Sequence, residues 1–417
     1  MARSAVETER ESAPYSRYNT GNALTLVICN NKDEVKMKLT DKLNKFVHPW
    51  MVKYVCRTYN KKMEWCKKRH PELFKPIDEE TTLKHLELWG RLGLPCSDKW
   101  LRFLTNISGI ADYRYAPEDL VFARVERILN DCERGGREAE DKNQFDLYVD
   151  LQDQPRTVLR YIRGTFYDEA HRFISESAAQ SLLETDCGDL IGKVCVNSLG
   201  GHGISSFKYL NGHYVSSKGN VLSIDWIKEY SHSYILQEKV EQCDFSAQFN
   251  PASANSCKIV TLRCPWDGKI EVVKAGMRFG VTEDVFDNLS SGGISVAVST
   301  NGDLGKTAYN WYKADPFPEH PSSHVKFAGQ RHPYFGKMKE LSCRYAARVH
   351  NMNMLSWDML ADKNGDVKIL EVNATSQSHD WLQFDFGALF GDYTEKVVNW
   401  CAAHLDYDRF EHFRTWY

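Results

Sequence analysis

In the stretch MLSWDMLADKNGDVKILEVN, residues 354–373, the runs WDML and ILEVN carry Asp358, Glu371 and Asn373 among otherwise apolar residues. Asn364-Gly365 at its turn is a hairpin signal, because a type I′ turn needs positive φ at both central positions. A two-residue turn there sets Lys363 opposite Asp366, Leu360 opposite Ile369, Met359 opposite Leu370 and Asp358 opposite Glu371. Strand side chains alternate, so Asn373 shares a face with Glu371. Two carboxylates held together in apolar surroundings need a cation or a proton. The oxygen set Asp358, Glu371 and Asn373 suits Mg²⁺, which takes one or two carboxylates and leaves its other positions to phosphates and water. A bulge would move the register by one and part the pair.

Two more constellations point to a phosphate ligand. In LIGKVCVNSLGGHGISSF a β-like run carrying Lys193 leads into Gly200-Gly201-His202-Gly203. Glycines allow backbone N–H groups close to phosphate oxygens, and a strand lysine can reach them as a point charge. The loop lacks the GK[ST] ending of a Walker loop and the dinucleotide fingerprint; a plain hairpin turn is the ordinary alternative. In YILQEKVEQ, Glu238 ends a β-run, where it can accept from a ribose hydroxyl or sit in an exposed hinge between two lobes.

The elements that must position these residues fall into two textures. Residues 1–20 read as a polar tail, and 33–76 are basic and aromatic. Val35, Leu39, Leu43 and Phe46 predict a helix broken near Pro49, followed by a second helix carrying Met51, Tyr54, Val55 and Tyr59. Helical patterning covers 81–105 and 117–134, with a charged loop at 132–144. The segment 156–184 reads as two helices joined near Gly164, with Arg156, Arg160 and Arg163 as a stripe of surface cations or, alternatively, phosphate contacts. From about residue 188 short β-like runs alternate with turn signals, and a closing helix follows Leu389.

Composition bounds the rest. The chain has 417 residues, 42% hydrophobic and 26% charged, which excludes a largely disordered protein. A net charge of −3 excludes a polycation built for nucleic acid. No apolar run approaches the ~18 residues of a membrane helix, and the N-terminus lacks a signal-peptide stretch, so a cytoplasmic protein with no membrane partner is expected. The 12 cysteines include no CxxC pair and read as reduced, buried thiols.

Strand lysine, Gly-rich loop, hinge acid, cationic strands and an Asp…Glu-x-Asn hairpin, in this order, resemble an ATP-grasp enzyme. More narrowly, SANSCKIVT (253–261), MRFGVTEDVFDNLSSGGISVAV (277–298), EHPSSHVKFAGQRHPYF (319–335) and WDMLADKNGDVKILEVN (357–373) resemble the sugar-transfer-associated ATP-grasp family. PRTVLRYIRGTFYD (155–168) fits its entry segment, and the resemblance covers roughly residues 150–400. It implies an α+β, ATP-grasp fold of two lobes clasping ATP, preceded by a mainly helical N-terminal region. The expected boundaries are a tail at 1–20, a helical domain at 21–165, the ATP-grasp domain at 166–405 with lobes at about 166–235 and 236–405, and a tail at 406–417.

The resemblance also implies roles. Lys193 matches the lysine on the ATP phosphates; Gly200, Gly201, His202 and Gly203 match the mobile loop over them; Glu238 matches the hinge acid. Asp358, Glu371 and Asn373 match the magnesium ligands, and Arg278 an arginine of the active cleft. Asp287, Asn288, Gly292 and Gly293 match a family segment to which no role is assigned. Two positions depart: His202 stands where the family commonly has Lys, and Lys258 where it has Arg. A strict two-residue turn at Asp267-Gly268 puts Arg263 and Arg278 on one face and Lys258 on the other, so either a bulge intervenes or Lys258 lies outside the site. The implied activity is ATP- and Mg²⁺-dependent ligation of a carboxylate to an amine through an acyl phosphate, in polysaccharide or specialised-metabolite biosynthesis, with a sugar or amino acid as substrate. A phosphotransferase on a small molecule and a non-catalytic nucleotide-binding protein are the alternatives.

Overall fold

In the computed structural model the protein is described over residues 32–131, 135–195, 203–282, 287, 289 and 292–408. Among the described residues, fourteen strands form two antiparallel sheets. The first contains β1 (Thr157–Ile162), β2 (Thr165–Tyr167), β3 (Phe173–Ile174), β4 (Leu190–Val194), β5 (Ile204–Leu210), β6 (His213–Ser216) and β7 (Ser233–Glu238), in the order β3-β2-β1-β7-β4-β5-β6. The second contains β8 (Cys257–Arg263), β9 (Ile270–Phe279), β10 (Ile294–Val298), β11 (Ala308–Asn310), β12 (Asp315–Phe317), β13 (Met354–Ala361) and β14 (Val367–Asn373), in the order β12-β11-β10-β9-β8-β13-β14. The helices are α1 (Lys32–Arg69), α2 (Glu79–Gly90), α3 (Lys99–Ser108), α4 (Glu118–Leu120), α5 (Glu126–Leu129), α6 (Gly135–Glu140), α7 (Glu176–Leu183), α8 (Ile224–Tyr230), α9 (Asp244–Ala247), α10 (Phe335–Ala346) and α11 (Thr394–Ala403).

Three apolar cores organise these elements. One joins Phe207, Tyr214 and Leu236 of the first sheet to Ala179 and Leu183 of α7 and Ile227 of α8. A second joins Cys257, Ile259, Trp357 and Met359 of the second sheet to Met338, Leu341 and Tyr345 of α10. The third lies on the opposite face of that sheet, where Val260, Leu262 and Met354 meet Trp89, Trp100, Leu104 and Leu120 of the N-terminal helices and Val397 and Cys401 of α11. The alternation of β8 and β13 therefore serves a helix on each side, which is why these strands read as nearly continuous apolar runs. Arg69 at the end of α1 clasps Asp315 of β12 with three contacts of 2.7–2.9 Å, tying the helical layer to the sheet edge.

Two expectations are corrected. α1 runs through Pro49 without a break. Proline forfeits one backbone hydrogen bond, and a 38-residue helix rich in Lys continues past it. Residues 155–174 form no helix; they make the hairpin β1–β2 and the short β3. Ile162 pairs with Thr165 across Arg163-Gly164, whose φ values of +48° and +95° are those of a type I′ turn. β-branched and aromatic residues such as Thr157, Val158, Tyr161 and Ile162 favour the strand over the helical reading. The first sheet thus begins nine residues before the expected domain start at 166.

Candidate functional site

Asp358 and Glu371 stand opposite each other in the β13–β14 ladder. The turn is one residue longer than a strict Asn-Gly turn: Asp362 N–H donates to the Asp366 carbonyl at 2.8 Å and Gly365 N–H to the Asp362 carbonyl at 2.9 Å. The pairs beyond it are Ala361–Val367, Leu360–Lys368 and Met359–Ile369, each shifted by one from expectation. A bulge at Leu370 then restores the expected register at Asp358–Glu371, Trp357–Val372 and Ser356–Asn373. The bulge has a use, because Lys193 Nζ donates to the freed Leu370 carbonyl at 3.5 Å.

Asp358 is buried beneath three donors. Arg278 Nη2 lies 3.1 Å from its Oδ2, Lys258 Nζ 3.4 Å from its Oδ1, and Asn373 Nδ2 donates to Oδ2 at 3.3 Å. Burial raises the Asp358 carboxyl, but the Arg278 guanidinium and the Lys258 ammonium outweigh it and hold the group below its ordinary value. Arg278 is buried too; Asp287 and Asp358 overcome that burial and keep it charged above its ordinary value. Its Nη2 donates to Ser256 Oγ at 2.7 Å, and Ser256 N–H and hydroxyl both donate to Asp287, the backbone contact at 2.7 Å. Burial pulls the Lys193 ammonium down to about 8.

The face puzzle of β8 and β9 is resolved by a register shift between Val260 and Thr261. Lys258 pairs with Gly276, and Arg278 N–H donates to the Ser256 carbonyl at 2.9 Å. Lys258 and Arg278 therefore share the face of Asp358. Arg263, an odd number of residues from Lys258, points to the other face and donates to the carbonyls of Ala346 and Val349 at 2.6 and 3.3 Å. The expected grouping is inverted: Arg263 is outside the site and caps the C-terminal end of α10.

Glu238 ends β7 and pairs with Arg156. Arg156 is an exposed cation as expected, but it precedes a strand and pairs with an acid rather than lying on a helical stripe. Arg160 of that supposed stripe is fully buried and reaches Asp146 at 2.5 Å. Gly200, Gly201, His202 and Asn288 lie outside the described residues. Gly203 is described, with φ +81°, and a Cβ there would stand 2.7 Å from the Val194 side chain.

Lys142 was not singled out from the sequence. It sits in the segment read as a charged loop, and its Nζ lies 3.5 Å from Glu371 Oε2. No local pattern signals this contact across more than 200 residues; the charge of the segment was the available hint.

A cavity of about 260 Å³ opens between the two sheets and is lined by Lys193, Glu238, Arg278, Asp287, Asp358 and Glu371. Lys142, Lys193, Lys258 and Arg278 bring positive charge to the carboxylates Asp358 and Glu371, and Glu238, Glu241 and Asp287 line the same cavity. The residues fit a phosphate-bound Mg²⁺: Asp358 Oδ1 is buried and is met only by the Lys258 ammonium at 3.4 Å among the described residues, and Glu371 and Asn373 add oxygens beside it. Among the described residues no group of three or more His, Cys, Asp and Glu side chains forms a closed metal site. No helix among them is long and apolar enough to cross a membrane.

Comparison with known proteins follows this geometry. No curated protein matches the chain. Among solved structures, the ADP complex of N5-carboxyaminoimidazole ribonucleotide synthetase is 10% identical, with 58% of this chain and 46% of that one covered and a TM-score of 0.33. Biotin carboxylase from Campylobacter jejuni is 11% identical over 64% of this chain and 46% of that one, with a TM-score of 0.37. The VanG D-Ala:D-Ser ligase from Enterococcus faecalis is 13% identical over 64% and 62%, with a TM-score of 0.36. The chain spans less than two thirds of the length of each. The family model for sugar-transfer associated ATP-grasp matches residues 168–394, more than half of the chain, and takes in both sheets from β3 to β14. The chain belongs to the sugar-transfer associated ATP-grasp family.

Proposed function

We propose that the protein is an ATP-dependent ligase that joins a carboxylate to an amine through an acyl phosphate. The observation that carries this reading is the cleft between the sheets, where four cations surround the opposed pair Asp358 and Glu371. Lys193, aided by Lys142, would hold the nucleotide phosphates. Glu238, at the end of β7, would meet the ribose once released from Arg156. Asp358, Glu371 and Asn373 would hold Mg²⁺, which neutralises phosphate charge and orients the γ-phosphate.

The substrate carboxylate then attacks the γ-phosphorus, forming an acyl phosphate and ADP. The amine attacks the acyl carbon, and phosphate leaves. Arg278 and Lys258 are placed to stabilise the charge that grows on the transferring group. No side-chain nucleophile is needed, and burial pushes the thiols beside Lys258 and Lys193, Cys257 and Cys195, each up to about 12. The substrate would be a sugar or an amino acid, in polysaccharide or specialised-metabolite biosynthesis; the sugar-transfer association in the family's description supports the sugar.

The test is Mg²⁺-ATP-dependent ADP release across a panel of amino acids and sugar acids, for the wild type and Glu371→Ala. The reading expects an acid that triggers release, and a fall of at least about 100-fold in the variant with its thermal midpoint retained. Wild-type turnover by Glu371→Ala would remove the metal assignment.

A further inference from the structure

The segment that follows Asn373 is held from the far side by carboxylates of the helical layer. Ala374 and Thr375 N–H donate to Glu140 Oε1 at 2.9 and 2.8 Å, and the Thr375 hydroxyl donates to the same oxygen at 2.9 Å. Ser376 and Gln377 N–H donate to Glu126 at 2.5 and 3.3 Å. His379 N–H donates to Glu118 at 2.9 Å. Five of the six amides from 374 to 379 thus end on three glutamates. Asn130 adds to the grip: its Nδ2 donates to the Met354 and Ala374 carbonyls at 2.7 and 2.8 Å, and Met354 N–H donates to its Oδ1 at 2.9 Å.

Three features say that this arrangement serves the site. Ser376 and Ser378 have φ values of +53° and +56°, a conformation that L residues keep only where the surroundings impose it. Glu118 and Glu126 are buried, and burying carboxylates is unfavourable unless the bonds they accept are needed. The strip begins at the residue after Asn373 and ends at His379, which Lys258 of the site influences electrostatically. Lys142, two residues beyond Glu140, meanwhile pairs with Glu371. One short stretch, 140–142, therefore touches β14 at Glu371 and just past Asn373. All four gripping residues precede the matched family region, which begins at 168.

We infer that Glu140, backed by Glu126 and Glu118, is a positioning residue for the metal-binding hairpin, so that the helical layer is a working part of the ATP site. Its carboxylate fixes the end of β14 and thereby keeps Asn373 against Asp358. The inference rests on the proposed function, since it assumes that this hairpin binds the metal.

The test uses the full chain with AMPPNP and follows Mn²⁺ uptake by electron paramagnetic resonance, a readout independent of turnover. Glu140→Ala is expected to bind Mn²⁺ at least about ten-fold more weakly, the usual effect of losing an outer partner of a metal ligand, with little change in thermal midpoint. Glu140→Gln keeps an acceptor oxygen for the amides and should recover most of the affinity. Glu140→Asp keeps the charge but falls one methylene short, so it should weaken Mn²⁺ binding even if the alanine variant does not fold. Wild-type Mn²⁺ affinity in Glu140→Asp or in a folded Glu140→Ala overturns the inference alone. A wild-type complex that takes up no Mn²⁺ overturns both the inference and the reading of the site.

Discussion

Asp358 and Glu371 face each other because two irregularities of one hairpin cancel: the turn is a residue longer than Asn364-Gly365 demands, and a bulge at Leu370 takes that residue back. The bulge also turns the Leu370 carbonyl toward Lys193. The bulge thus offsets the longer turn and also seats the cation beside the two acids, in keeping with the habit of bulges to lie next to functional positions.

Lys193 gives a pH prediction. Its ammonium is pulled by burial from 10.5 to about 8, so it is charged below that pH and neutral above it. Phosphates favour the charged form, so nucleotide affinity should be full below pH 8 and fall as pH rises through it. Lys193→Met should bind AMPPNP at least about ten-fold more weakly at neutral pH, on the scale of one charge-assisted contact, and should lack the alkaline fall. Calorimetric titration between about pH 7 and 9.5 measures both; the same alkaline fall in the variant would take Lys193 off the phosphates.

Glu126 gives a stability prediction. Burial raises its carboxyl from 4.5 to about 8, against the pull of the Ser376 and Gln377 amides. The folded state then holds a proton that the unfolded chain has already released. Stability from this group is complete below about pH 4.5 and is lost as pH rises through 8. Glu126→Gln removes the titration and keeps an acceptor, so its stability relative to the wild type should rise between those limits. Urea unfolding across that window decides it, and a parallel pH dependence in both proteins would refute the assignment.

Arg160 is the third case. It is fully buried in β1 and 2.5 Å from Asp146, where His171 at 2.8 Å is the remaining partner. Arg160→Met leaves Asp146 with that histidine alone and should lower stability by about 3 kcal/mol or more. A loss below about 1 kcal/mol in denaturant unfolding would mean that the pair is dispensable.

The second half of the chain was the more legible. Its strands are apolar runs closed by turn residues, and pattern and spacing single out Asp358, Glu371, Asn373 and Lys193, which lie together at the cleft between the sheets. Three things were not visible. Arg163-Gly164 is a hairpin turn, but Arg at its first position hid the type I′ signal, and the arginines around it then mimicked a helical stripe. The shift between Val260 and Thr261 decides whether Lys258 or Arg263 shares a face with Arg278, and one extra residue on β9 leaves no mark in a run of apolar side chains. Lys142 and Glu140 act on residues more than 200 positions away, a contact set by the docking of the helical layer rather than by any local preference.

The most direct test of the central claim is to run the ADP-release reaction with hydroxylamine in place of the amine. Hydroxylamine captures an acyl phosphate as a hydroxamate. ADP and hydroxamate formed in equal amounts with one carboxylic acid, both lost in Glu371→Ala, is the predicted result. ADP release without hydroxamate for every acid that triggers it, with a phosphorylated product in its place, would contradict carboxylate activation and make the protein a phosphotransferase.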